Sequence, residues 1–72
     1  MTVKPFDVLT KRIGQNVLLQ LKGGKQVRGI LKGFDVHLNI VLGEAEELEE
    51  GQVKSKNSEM LIRGDSIVFI NV

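Results

Sequence analysis

The sequence predicts an all-β fold with one small helical element: a short N-terminal helix followed by a strongly bent, five-stranded antiparallel sheet. Three observations predict it. Apolar and polar residues alternate with a period of two over several segments, the spacing of half-buried strands. Gly- and Asp-containing turn signals separate those segments. Two glycines four residues apart, Gly29 and Gly33, fall inside one segment, as in a sheet that rolls into a small barrel.

The elements follow in order. Residues 4–13 read as a helix: Pro5 is tolerated in a first turn, Phe6, Leu9 and Ile13 share one face, and Lys11 and Arg12 suit the negative end of the helix dipole. Gly14 then supplies a left-handed stop. Residues 16–21 form a strand in which Val17, Leu19 and Leu21 alternate with Asn16, Leu18 and Gln20. Lys22-Gly23-Gly24-Lys25 is a tight hairpin turn, because glycine accepts the positive φ angles such turns need. Residues 26–34 form the second strand. A single strand from 26 to 42 would far exceed the usual ~5–6 residues, so a turn falls near Asp35 to His37. Asn39 opens the third strand, which runs to Leu48.

Glu44, Glu46, Glu47, Glu49 and Glu50 make an acidic run around Gly51. It reads either as a site for a divalent cation or basic partner, or as a solvated strand end and loop, the ordinary case for such runs. Residues 54–58 continue as loop. Residues 59–63 form the fourth strand, Gly64-Asp65 a tight turn, and residues 66–72 the fifth strand. That last strand carries no charge and is the most hydrophobic window. On an open edge it would template aggregation, so it is either covered internally or paired with another subunit.

Size points the same way. A chain of 72 residues buries only about 60% of its unfolded surface, and such small domains lean on disulfides, metals or partners. Cysteine is absent and histidine occurs once, so oligomerisation is the expected supplement. The net charge is +1, but residues 1–33 carry seven of the ten basic groups and one acid. A two-faced molecule is therefore possible. The longest apolar runs are short, such as residues 67–70, so no membrane segment is expected and the protein is read as cytoplasmic.

Asp35, His37 and Asn39 supply an acid, a flat aromatic base and an amide, groups suited to holding a planar, hydrogen-bonding ligand. Taken singly, each has an ordinary reading: a loop histidine, a turn asparagine, and further on an Arg63 whose charge pairs with Asp65 to pin the last hairpin. Catalysis is not expected. Around the lone histidine there is no nucleophile, no metal-ligand cluster, no phosphate loop and no spaced acid–base pair, so no cofactor or metal is called for.

Residues 12–42 and 59–70 resemble the Sm and Sm-like (LSm) family. The first motif is matched by the strand-glycine-strand pattern with Gly29 and by Phe34-Asp35-Val36-His37-Leu38-Asn39, and the second by Ile62-Arg63-Gly64-Asp65. The combination is most similar to the archaeal members. The resemblance implies a single Sm-like domain over 1–72, an SH3-like barrel, and a homo-oligomeric ring, with a heptamer favoured and a hexamer as the other size. It implies binding of U-rich single-stranded RNA around the pore, in a scaffold or chaperone role in RNA processing. By the same resemblance His37 and Arg63 sandwich a uracil, Asn39 bonds the base edge, Asp35 orients the loop, and Gly64 and Asp65 close the pocket. Met60, Leu61 and Ile62 of one subunit would meet Ile67, Val68, Phe69 and Ile70 of the next. Two departures stand out: Phe34 where several relatives have Tyr, and Asp65 where eukaryotic members often have Asn.

General physics fits these roles. Single-stranded RNA is read by splaying bases onto aromatic or guanidinium planes and bonding their edges. There is no Tyr or Trp, and the three Phe sit in patterns that read as buried, which leaves His37 and the arginines as stacking surfaces. The other reading is a structural ring that docks proteins through the acidic segment 44–50.

Overall fold

The structure is a computed structural model that describes residues 3–72. A helix α1 (Pro5–Thr10) precedes strands β1 (Asn16–Leu21), β2 (Gln26–Phe34), β3 (Ile40–Glu49), β4 (Gln52–Ile62) and β5 (Ile67–Asn71), with a 3₁₀ turn at Gly64–Ser66. All pairings are antiparallel and the sheet order is β4-β3-β2-β1-β5, so β4 and β5 are its edges. Val17, Leu19, Val27, Leu31, Ile40, Leu42, Ala45 and Ile62 build the core, and Leu9 of α1 closes it. Among the described residues no helix is long and apolar enough to cross a membrane.

The helix is shorter than expected. It starts on Pro5 and ends at Thr10, whose Oγ1 donates to the Phe6 carbonyl at 2.7 Å. The chain then turns through residues 11–14 to Gly14 at φ +87°. Ile13 therefore lies outside the helix and is exposed, and of the three residues expected on the inward face only Leu9 is buried. Phe6 remains about half exposed while stacking on Phe34, with ring centroids 5.3 Å apart. Phe69 is exposed as well. The expectation of three buried phenylalanines thus fails for two: one lies on a helix outside the sheet, the other on the outer face of an edge strand.

Bending has a visible cause in β2. A Cβ added to Gly29 would stand 2.8 Å from the Gly43 carbonyl oxygen and 3.2 Å from the Ala45 Cα, so only glycine lets β3 approach this closely. The β2–β3 register slips once across Gly29 and again before Gly33, the irregularities that accentuate twist. Among the described residues a Cβ added to Gly33 would meet nothing within 4 Å, so of these two glycines only Gly29 marks a close approach.

The largest difference from expectation is β4. It begins at Gln52, and residues 54–58, expected as loop, are strand. Gln52 to Lys54 and Lys56 to Glu59 are exposed, so the segment lacks the alternation that would betray it in sequence. Pairing with β3 holds it instead, in the register Ala45↔Asn57, Glu46↔Lys56 and Glu47↔Ser55. Glu46 sits between two cations, with Arg28 Nε at 2.7 Å and Lys56 Nζ at 3.6 Å. The hydrogen bond from Arg28, reinforced by the charges of Arg28 and Lys56, holds the Glu46 carboxyl below its ordinary pKa. The acidic run is therefore mostly strand, turning at Glu50 and Gly51, both at positive φ. Among the described residues no three His, Cys, Asp or Glu side chains are grouped to hold a metal ion.

Candidate nucleic-acid interface

The loop between β2 and β3 is built around one carboxylate. Asp35 Oδ1 accepts the backbone N–H groups of His37 (2.9 Å) and Asn39 (3.0 Å), and its Oδ2 accepts the side-chain amide of Asn39 (3.0 Å). The Leu38 N–H donates to the Asp35 carbonyl at 3.0 Å, which closes the turn. An Asp that bonds the backbone two residues on is a standard turn former, so the sequence itself dictates this loop. These donors, the Asn39 side chain foremost, hold the Asp35 carboxyl below its ordinary pKa.

Asn39 carries the connection onward. Its Oδ1 accepts the backbone N–H of Gly64 at 2.9 Å, a bond that spans 25 residues of sequence. The chain Asp35–Asn39–Gly64 has a direction: the carboxylate can only accept and the Gly64 amide can only donate, so the Asn39 amide cannot flip without losing both bonds. One N–H and one lone pair remain on that amide. They offer a fixed donor and acceptor to the edge of a planar base.

Packing makes Gly64 obligatory. A Cβ there would overlap the His37 carbonyl oxygen and stand 3.0 Å from the Leu38 carbonyl carbon and oxygen. Arg63, in the link after β4, places Nη2 3.1 Å from Asp65 Oδ2, with both side chains largely exposed. An exposed pair of this kind contributes about 0–1 kcal/mol, so it orients the guanidinium without burying its faces.

His37, Asn39, Arg63, Gly64 and Asp65 together line one open cleft of about 610 Å³. Asp35 stands behind it, holding the loop. All six sequence-predicted positions are thus brought together. The seven predicted interface positions lie on the two edge strands but divide by orientation. Leu61, Val68 and Phe69 are exposed, Met60, Ile67 and Ile70 are half-buried against the core, and Ile62 is buried in its own protomer. Ile62 can offer a neighbour its backbone edge but not its side chain.

Leu38 is the residue that sequence reasoning passes over. Its φ is +59°, a conformation unusual for a leucine, and its side chain is 38% exposed between the loop and the apolar edge. An apolar residue between His37 and Asn39 carries no sequence signal of that conformation.

A model of the LSM domain family matches residues 7–72. The chain is 45% identical over 71 residues to an snRNP Sm-like protein of Methanosarcina acetivorans, covering 99% of each. Its fold is similar to that of the Pyrococcus abyssii Sm protein solved in complex with a uridine heptamer (TM-score 0.93, 39% identity, 96% of this chain and 97% of that one). It is also similar to the Sm heptamer of P. aerophilum (TM-score 0.89, 37% identity, 99% and 95%).

Proposed function

The chain belongs to the LSM domain family, and from that premise we propose that it forms a homo-oligomeric ring, favoured as a heptamer, that binds U-rich single-stranded RNA around its pore. The observation that carries the proposal is the Asp35–Asn39–Gly64 chain, which joins the two sequence motifs into one cleft beneath His37 and Arg63. In this reading His37 and Arg63 stack on a base from either side, and Asn39 reads its edge. Uracil presents N3–H beside a carbonyl, which the fixed donor and acceptor of Asn39 complement. Asp65 contributes by orienting Arg63.

A stacked base is worth about 1–3 kcal/mol, so one cleft alone binds weakly. A ring offers several clefts to one strand and gains by effective concentration. The edges supply the means of assembly: among the described residues β4 pairs only with β3 and β5 only with β1, leaving both outer ladders open, with Leu61 on one and Val68 and Phe69 on the other. The role is that of a cytoplasmic scaffold or chaperone for RNA, without catalysis. Docking of proteins through residues 44–50 is the weaker reading, because Glu46 is already paired with Arg28 and Lys56 within the sheet.

Native mass spectrometry with and without oligo-U tests ring size and ligand class together. In the same experiment Arg63→Ala keeps the oligomer and weakens oligo-U binding by about tenfold or more, one stacking contact per base. Unchanged affinity in that variant would remove Arg63 from the site.

A further inference from the structure

We propose that Leu38 is a positioning residue through which a neighbouring copy of this chain sets the base-reading loop, an inference that rests on the ring and on the cleft assigned above. Two properties meet in this residue. Its backbone, at φ +59°, belongs to a region that L residues with a full side chain rarely adopt. That backbone lies directly between His37 and Asn39, and its carbonyl packs against Gly64 with no room for a Cβ. A return of Leu38 to negative φ would therefore turn His37 and Asn39 and break the fit to Gly64.

The side chain points to what holds that conformation in place. It lines an apolar cleft of about 330 Å³ with Pro5, Val8, Ile67, Val68 and Phe69, alongside the open edge of β5. The occupant of this cleft is the β4 edge of a second copy. That edge has an open ladder for β5 to pair with, and it presents Leu61, 67% exposed, as the apolar group to fill the cleft. Docking removes the exposed side of Leu38 from water and anchors the side chain, so the strained conformer is favoured over relaxed ones. In the separated chain that anchor is missing. Base reading then depends on assembly through loop order, in addition to the gain from many linked sites.

Amide hydrogen exchange tests this without RNA. At a concentration where native mass spectrometry finds the wild-type oligomer, the reporters are the N–H groups of His37 and Asn39, bonded to Asp35, and of Gly64, bonded to Asn39. Leu38→Ala is expected to speed their exchange by about tenfold and Leu38→Gly, which accepts positive φ, by less, with Leu38→Met at the wild-type rate and the amides of Leu19 and Leu31 unchanged. Alanine keeps the Cβ that disfavours positive φ but loses the anchor, so wild-type exchange in Leu38→Ala overturns the proposal. Dilution of the wild type until it dissociates supplies an arm without mutation: the three amides lose protection as the oligomer does. Their full protection in the dissociated chain also overturns it. Oligo-U binding separates this inference from the functional reading. A wild-type oligomer that ignores oligo-U yet follows the exchange pattern refutes RNA binding and leaves the coupling standing. An oligomer that binds oligo-U with exchange insensitive to Leu38 refutes the coupling alone.

Discussion

Gly64→Ala isolates one contact on which the candidate site depends. Gly64 is not among the glycines at positive φ, so alanine there meets no backbone penalty and its whole effect is steric. The added Cβ would overlap the His37 carbonyl oxygen and lie 3.0 Å from two atoms of the Leu38 peptide, all of them backbone. An ordinary carbon–oxygen contact needs about 3.3 Å, so the two loops must part by roughly an ångström. The Gly64 N–H, now 2.9 Å from Asn39 Oδ1, is then carried past the range of a hydrogen bond. Loss of that bond costs about 0.5–1.5 kcal/mol and the forced displacement about 1–3, so destabilisation of roughly 2–4 kcal/mol follows. For a domain of this size each kcal/mol lowers Tm by about 4–8 °C, read at fixed protomer concentration because assembly adds to apparent stability. Fluorescence anisotropy with labelled oligo-U should show weakened binding, since the Asn39 amide loses one of its two fixed partners. A variant with wild-type Tm and wild-type oligo-U affinity would refute the packing argument and with it the joining of the two motifs through Gly64.

Three further outcomes follow from the same geometry. Asn39→Ala should reduce the preference for oligo-U over oligo-C by about tenfold, the worth of one edge contact, and more than it reduces total affinity; an unchanged ratio in competition binding removes Asn39 as the reader. The Asp35 carboxyl is held below its ordinary value of 3.8, so its hold on the loop is complete above that value and is lost as pH falls through the lowered one. The Gly64 amide chemical shift should therefore stay constant from neutral pH down to about 4 and move only below it, whereas Asp35→Ala, which removes every side-chain acceptor of the turn, should show the disordered shift at every pH. Val68→Glu places a charge on the exposed face of β5 and should reduce the native mass to that of the single chain; an intact oligomer would move the interface away from this edge.

The sequence discloses those parts of the molecule whose chemistry is local. Asp35 makes its turn with its own near neighbours, so the break between β2 and β3 is visible in the residues themselves. Val17, Leu19, Val27 and Leu31 alternate because one face of each strand is buried. The outer half of β4 is invisible for the converse reason. With residues 56–59 exposed on both faces, its strand state comes from partners in β3 and the Arg28–Glu46–Lys56 ladder, which no local pattern announces. Ile13 is misread because the helix stops one turn early, a boundary set by the exit to Gly14 and not by periodicity. The residues of the candidate cleft are legible as a set, through two motifs. Their hydrogen bonds are not, since the bond from Gly64 to Asn39 depends on a sheet folding between them.

That sheet also explains why the site lies where it does. β4 and β5 are consecutive strands at opposite edges, joined only by Arg63 and the 3₁₀ turn Gly64–Ser66. In a flat five-stranded sheet the outer strands would be about 19 Å apart, four spacings of 4.7–4.9 Å. A link with three residues rising only about 2 Å each falls well short of that. The sheet must therefore roll until its edges approach, and the link that closes the gap is the one that meets the β2–β3 loop. Curvature comes from Gly29, where β3 lies too close for any side chain. Gly29 touches none of the cleft residues in sequence, yet the meeting of Asn39 with Gly64 depends on the bend it permits. It also follows that the cleft sits on the connection between the two open edges. In any closed ring built by pairing those edges, one cleft then falls beside every subunit junction, where a single RNA strand can pass from each to the next.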